Sequence, residues 1–370
     1  MPLPLPGSLT PSKVSTFKDC ALAFRLSAID RLPEPPTEPS FKGTVVHRAL
    51  ELLMWEEQPG RRDRQTAFSK LDRALEELLA GEEGTLLGLA GARLDDFVAD
   101  ARALVANYLV LEDPNRVRVI GTELRLEVEV VPGELRWAGR PAGPAGLARL
   151  PVDPAGPPVG PGGSERPGGS ERPADRGLRL RGIIDRLELD DHGELVVTDY
   201  KTGRAPTVSQ EQARLGGVHF YAFLCQELLG RRPARVQLFH LREPMAICSQ
   251  PSDQSIISLR LQAGAIWSAV KRACLLEDFR PRPGPLCDWC GYHAYCPAQG
   301  GDLSLLGTRG GGAPASHLPG DGGRGASPGI EKAQVELPLA LPSLPGFSEG
   351  RELASTQASR TGVAHAPSGP

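Results

Sequence analysis

Between Gly177 and Gly203 the chain reads GLRLRGIIDRLELDDHGELVVTDYKTG. Two runs rich in Leu, Ile and Val flank Asp190-Asp191-His192-Gly193, residues with the chemistry of a tight hairpin turn. The pattern predicts two strands, 177–188 and 194–200, paired antiparallel. The second run is apolar at Leu195-Val196-Val197, yet it ends in an acid, an aromatic and a lysine before a Thr-Gly turn. Residues two apart in a strand share a face, so Asp199 and Lys201 point one way and Tyr200 the other. Asp185 lies on the partner strand, where its carboxylate is brought near that of Asp199. Two carboxylates side by side repel unless a cation sits between them. The pair makes a hard oxygen site suited to Mg²⁺ or Mn²⁺. Lys201 beside it has the charge to orient an attacking water and to stabilise a phosphate that is gaining negative charge. A surface ion pair between Asp199 and Lys201 is the plain alternative.

The segments around this hairpin have different textures. Thr10-Pro11 reads as an N-cap followed by proline at the first helical position, and the apolar spacing continues a helix to about Ile29, before LPEPPTEPS stops it. From Lys42 to about Leu111 the pattern is again helical, in three or four segments interrupted near Pro59-Gly60 and Gly81 to Gly84. Residues 10–112 therefore read as a helical part. At Val117 the period changes to two, in VRVIGTELRLEVEVV, and a sheet core is expected over 117–275. Within it, 138–176 is a Gly/Pro-rich excursion containing GGSERPGGSERP, too poor in apolar residues to offset its ordering entropy. A helix is expected at about 209–229, strands at 234–240 and 245–248, and a helix at 252–274. A cysteine cluster occupies 285–297. Residues 298–370, rich in Gly, Pro and Ser, read as a disordered tail.

A chain of 370 residues with a net charge of −3 has no global basic field, so any nucleic-acid site must be a local patch. No apolar run approaches the roughly 20 residues a spanning helix needs, and MPLPLPGSLTPSK lacks the regions of a signal peptide. The expectation is a cytoplasmic protein with no membrane partner. Of seven cysteines, three fall in CDWCGYHAYC, and such clustering in a cytosolic chain points to metal before disulfide. Cys287, Cys290 and Cys296 supply three thiolates, one fewer than a closed tetrahedral Zn²⁺ or a [4Fe-4S] site requires. Cys225, Cys248 and Cys274 read as ordinary buried small residues. No GxxxxGK[ST] motif is present, so any unwinding would come from a partner.

Gly182-Ile183-Ile184-Asp185-Arg186 followed by Asp199-Tyr200-Lys201-Thr202-Gly203 closely resembles motifs II and III of the RecB-like branch of the PD-(D/E)XK nuclease superfamily. Upstream, Gly43 to Glu51 (GTVVHRALE) looks like that branch's GxxxHxxLE motif. The resemblance implies an α/β fold, a restriction-endonuclease-like core with a central mixed sheet flanked by helices. It also implies a metal held by His47, Asp185, Asp199 and the Tyr200 backbone carbonyl, with Lys201 assisting attack. A histidine on a helix is otherwise commonly structural. Glu123 matches a glutamate often found on the branch's first strand, although Glu127 and Glu129 resemble exposed strand carboxylates equally well. The branch's QxxxY motif is incomplete: Tyr221 is in place, but Gly217 stands at the glutamine position. Tyr221 is left to contact DNA, to brace the site, or to serve as a core tyrosine.

SKVSTFKDCALAFRL resembles the first helix of iron-sulfur nucleases of the AddB and CRISPR-adaptation type, which makes Cys20 the fourth ligand beside Cys287, Cys290 and Cys296. A [4Fe-4S] cluster there would staple the ends of the domain together, with Zn²⁺ as the alternative. The resemblance spans residues 8–297. It implies a metal-dependent DNA nuclease, an exonuclease acting on single-stranded DNA or DNA ends in recombination and repair. The competing reading keeps the fold without the chemistry, as a DNA-binding subunit of a helicase partner. The region of Phe17, Phe24 and Arg25 either guides a strand or packs helix to helix.

Overall fold

The hairpin anticipated around Asp190–Gly193 forms the middle of the sheet. The structure, a computed structural model, describes residues 2–130, 177–205 and 208–309. The excursion expected at 138–176 and the tail beyond Arg309 lie outside the described residues. All described residues fall within one compact unit, Met1–Ala326, and a second, Ser327–Pro370, lies outside them.

Strands β1 (Arg118–Val130), β2 (Leu178–Leu189), β3 (Leu195–Lys201), β4 (Arg235–His240) and β5 (Met245–Ser249) form one sheet in that order. Neighbours pair antiparallel except β3 and β4, which run parallel. A parallel pair needs a crossover, supplied here by helix α7 (Val208–Leu229). At the β2–β3 turn, Asp190 Oδ1 accepts the N–H groups of His192 and Glu194, both at 2.9 Å, and Gly193 adopts φ 75°. The mixed sheet flanked by helices is the architecture the sequence implied.

Each face of the sheet buries its own core. On one, Leu180, Ile184, Val197 and Leu238 meet Phe220 and Phe223 of α7 and Trp267 of α8 (Asp253–Leu276). A Cβ on Gly182 would come within 2.8 Å of Leu224 and 3.2 Å of the Tyr221 ring, so glycine is what lets α7 lie close on β2. On the other face, Tyr200, Phe239 and Leu241 pack against Phe41 and Leu50 of α3 (Glu38–Glu56), Leu71 of α4 (Arg64–Leu79), and Phe97 and Tyr108 of α6 (Ala92–Leu111). Helix α5 (Glu82–Leu87) completes the helical segments expected before the sheet.

The N-terminal helix differs from expectation. Instead of continuing to Ile29, α1 (Pro11–Asp19) ends at Cys20, whose extended backbone also opens α2 (Ala21–Phe24), followed by a π-turn at Arg25–Ile29. The break turns the Cys20 sulfur toward the backbone N–H of Arg282, 3.4 Å away. Just before α1, Leu9 exchanges backbone hydrogen bonds with Arg179 and Arg181, covering the part of the β2 edge that β3 does not reach. Chain order also runs past Pro297. Residues expected at the head of the tail form 3₁₀ turns at Pro297–Gln299 and Leu303–Arg309, because Leu303 and Leu306 find an apolar seat against Leu22, Leu26 and Tyr292.

Between sheet and helices sits a fully buried arginine. Arg186 forms a two-pronged ion pair with Glu112 and another with Glu188, and it donates to the Tyr200 hydroxyl at 2.8 Å and to Thr198 Oγ1 at 3.1 Å. Burial alone would push its pKa down, but Tyr200, Glu112, Glu188 and Tyr108 more than offset this, holding the guanidinium charged. Glu112→Ala leaves that buried charge short of a partner and is expected to cost about 3 kcal/mol. Glu56→Ala removes only exposed pairs with Lys70 and Arg73 and should cost less than about 1 kcal/mol. Urea midpoints of the two variants, compared at equal slope, check the contrast.

Candidate metal centre

Three elements converge where β2 and β3 part. Their ladder runs only from Arg186–Thr198 to Leu189–Leu195. One step beyond it, the backbone N–H of Tyr200 donates to Asp185 Oδ2 at 2.8 Å. A side-chain oxygen thus takes the place of a strand carbonyl, satisfying a buried donor at the fork. The alternation of β2 changes phase at the same point: Ile184 and Leu187 both face the α7 core, whereas Arg186 faces the helices. Asp185 is only 2% exposed.

Glu123 lies on β1 between the pairs Thr122–Arg186 and Leu124–Ile184, opposite Asp185. Its φ of 46° is rare for a residue with a side chain and typical of backbone held in strain at working sites. The conformation brings its carboxylate to 4.0 Å from His47 Nδ1. The other glutamates of the strand are engaged elsewhere: Glu127 pairs with Arg179 at 3.1 Å, and the Glu129 side chain packs against Gly177. The resemblance singled out Glu123 although the three look alike as strand carboxylates; its positive φ and its approach to His47 distinguish it in the structure.

Helix α3 supplies the histidine. A Cβ on Gly43 would sit 3.1 Å from Thr202 Oγ1, so the glycine lets the end of the Asp-Tyr-Lys-Thr-Gly segment come close. One turn on, His47 Nδ1 lies 3.3 Å from Asp185 Oδ2, and its ring stands edge-on to Tyr200. Glu51, a further turn along, belongs to the α3–α4 contact through Arg48, which also reaches Glu77. His47, Glu123 and Asp185 each offer a ligand atom, all within 4.8 Å of one another. Among the described residues this is the only group of three or more such side chains that close. An imidazole with two carboxylates suits a hard or borderline divalent cation.

The remaining expected residues stand nearby or apart. Asp199 is buried on β3 outside that group of three, and its carboxylate pairs with the Lys201 ammonium. Tyr200 gives its N–H to Asp185 and its hydroxyl to Arg186. Burial first, then the nearby Glu112, Glu188 and Asp185 carboxylates, raise its phenol pKa far above the ordinary value in spite of Arg186. Tyr221 lies in the α7 core over Gly182. Gly217 is on α7 among residues whose side chains lie outside the description. Sequence reasoning missed the partners of Arg186, above all Glu112 and Tyr108; the available signal was Arg186 and Glu188 two apart on one face of a strand rich in Leu and Ile.

The four expected cysteines meet in one corner. Cys20, Cys290 and Cys296 pack around Leu22, Leu26 and Tyr292, and the Cys287 sulfur accepts the Gly284 N–H at 3.3 Å. Burial raises the pKa of the Cys290 thiol, and the charges of Cys20, Cys296 and Cys287 raise it further. Phe17 and Phe24 stack edge-on at 5.1 Å and Arg25 pairs with Asp30, so this region packs helix to helix.

Residues 8–297 match the family described as the PD-(D/E)XK nuclease superfamily. No curated protein matches the sequence. Among solved structures, the one titled "Crystal structure of SSO0001" is 13% identical, with 78% of this chain and 95% of that chain covered, at a TM-score of 0.28.

Of the three cysteines outside the corner, Cys225 and Cys274 are buried as expected, but Cys248 is exposed on the edge strand β5. Burial pushes the Cys225 thiol up to about 12 and, as the leading cause, the Cys274 thiol up to about 11. Since the thiolate is the reacting form, brief maleimide treatment of the native protein should label Cys248 and spare Cys225 and Cys274, as read by peptide mass spectrometry.

Proposed function

This chain belongs to the PD-(D/E)XK nuclease superfamily, and we propose that it is a metal-dependent DNA exonuclease of the RecB-like branch, acting on single strands or DNA ends in recombination and repair. The observation that carries this reading is the convergence of His47, Glu123 and Asp185, from three separate elements, at the fork beside Asp199 and Lys201.

In this reading His47, Asp185, Asp199 and the Tyr200 carbonyl would hold Mg²⁺ or Mn²⁺, with Glu123 as a further oxygen donor. When bound, the cation lowers the pKa of a coordinated water and withdraws charge from the phosphate. Lys201 orients the attacking water and donates to the phosphoryl oxygen as negative charge grows there. The water oxygen replaces the leaving oxygen on phosphorus, which departs with a proton. Buried Arg186 holds the Tyr200 hydroxyl while Asp185 holds the Tyr200 N–H, so the main chain between Asp199 and Lys201 is fixed from both sides.

Cys20, Cys287, Cys290 and Cys296 would carry a [4Fe-4S] cluster as a structural staple. The resemblance of SKVSTFKDCALAFRL to the first helix of iron-sulfur nucleases supports iron-sulfur over zinc. Backbone N–H groups donate to the Cys20 and Cys287 sulfurs at 3.4 and 3.3 Å, bonds that the thiolates of either metal accept. Iron and sulfide in stoichiometry with the anaerobically purified chain would support the cluster, whereas zinc without sulfide would replace it.

The central test is degradation of end-labelled single-stranded and duplex DNA with Mg²⁺ or Mn²⁺, run on wild type, Asp199→Ala and Lys201→Ala. Asp199→Ala should lose cleavage while keeping DNA binding, and Lys201→Ala should slow it by about 100-fold or more. Equal behaviour of wild type and Asp199→Ala would favour the DNA-binding subunit of a helicase, the reading that Gly217 in place of the motif's glutamine leaves open.

A further inference from the structure

The cysteine corner displays a side chain that its structural role does not need. Trp289, between Cys287 and Cys290, is 89% exposed, more than any other large apolar residue described, and Leu286 on the same loop is 63% exposed. This loop is held in shape. Cys290 N–H donates to the Cys287 carbonyl at 2.9 Å, Cys287 N–H to the Gly284 carbonyl at 2.9 Å, and His293 bonds the Cys287 carbonyl. The indole is therefore presented on a short 3₁₀ turn, Cys287–Trp289, followed by Cys290, whose side chain packs into the corner.

Charge narrows the partner. Arg282 anchors its guanidinium on the Lys18 carbonyl at 3.0 Å, which sets two exposed cations at the edge of the corner. Neither forms an ion pair among the described residues, whereas Arg280 pairs with Asp278 at 3.1 Å. Asp288 puts an acid next to the indole on the turn, so the basic side of the corner is at Lys18 and Arg282. An exposed aromatic face on the same cysteine corner as two basic side chains matches the chemistry of an unpaired nucleotide, which offers a base to stack and a phosphate to pair. Duplex DNA, with its bases already stacked on each other, does not offer that face.

Resting on the nuclease reading above, we propose that Trp289 is a stacking platform for a base of single-stranded DNA, with Lys18 and Arg282 contacting the adjoining backbone. The contact is sequence-tolerant, since every base has a π-face. It is a binding element on the cysteine loop, separate from the residues that hold the metal.

Fluorescence anisotropy with labelled oligo(dT), in Ca²⁺ to suppress cutting, tests the proposal against an abasic oligomer of equal length. Trp289→Ala should weaken oligo(dT) binding about tenfold. Trp289→Phe should keep most of the affinity, and the abasic oligomer should bind wild type and Trp289→Ala alike. Lys18→Ala with Arg282→Ala should weaken both oligomers and flatten the salt dependence. Unchanged oligo(dT) affinity in Trp289→Ala, or an equal loss on the abasic oligomer, overturns the proposal. Because Trp289 neighbours two cysteines, an independent measurement uses wild type alone. Ultraviolet irradiation with an iododeoxyuridine oligomer should crosslink Trp289, and a crosslink map lacking that residue also overturns it. Wild type that cleaves DNA while failing these tests sinks the stacking site alone; wild type that neither binds nor cleaves DNA sinks the nuclease reading with it.

Discussion

The position of Arg186 inside the protein sets the geometry of everything around the fork. A fully buried guanidinium is tolerable only if its charge and its donors are met, and here Glu112, Glu188, Thr198 and Tyr200 meet them. Glu112 caps α6, Thr198 and Tyr200 lie on β3, and Glu188 on β2. One side chain therefore locks the helical layer to the two strands that carry the carboxylates. Gln237 extends the network to β4 by donating to Thr198 Oγ1 at 2.7 Å. Displacing any member leaves a buried charge or donor short of a partner, which makes the network all-or-nothing in the way half-satisfied polar clusters are.

Because Arg186 must face the helices while Leu187 faces the α7 core, the residue before them falls where the strand changes phase. That residue is Asp185, and its carboxylate is free of the regular alternation to cap the Tyr200 N–H and approach His47. The distortion on β1 at Glu123 faces it across the ladder. Two glycines make room for this geometry. Gly43 admits the end of β3 to α3, and Gly182 admits α7 to β2.

Much of the fold was legible because hydrophobic period and turn chemistry agreed: the hairpin around Asp190–Gly193, the helix after it and the two outer strands follow from spacing, whereas the parallel crossover and the pairing of the outer strands do not. Asp185, Asp199 and Lys201 stood out as candidates because acids and a basic group stand where packing alone would favour apolar residues, whereas His47 became one only through the resemblance of GTVVHRALE to the branch's motif. Glu123 was preferred over Glu127 and Glu129 through the resemblance alone, since a single positive φ leaves no mark on composition. Glu112 was not legible, since it follows a helix end and reads as a surface acid until the buried arginine opposite it is seen. The break at Cys20 escaped because the apolar spacing of Val14, Phe17, Leu22 and Phe24 is compatible with one continuous helix, and only the need to aim a sulfur at the corner interrupts it. The order of Leu303 and Leu306 was hidden by the composition of the long segment behind them.

The centre joins two carboxylates that repel one another, with His47 set between them. Glu123 and Asp185 bring negative charge together beside an imidazole, and the backbone at Glu123 sits in a conformation that costs on the order of 1–3 kcal/mol. Such a cost persists only where surrounding contacts over-determine the structure, and the Arg186 network on one side and the Gly43–Thr202 approach on the other do so. The arrangement has the form expected of a site kept for binding at the expense of stability. A cation that binds the folded fork and not the unfolded chain would offset that expense through its own binding free energy. The rigidity conferred by the buried arginine would then keep His47, Glu123 and Asp185 assembled whether or not a cation is bound.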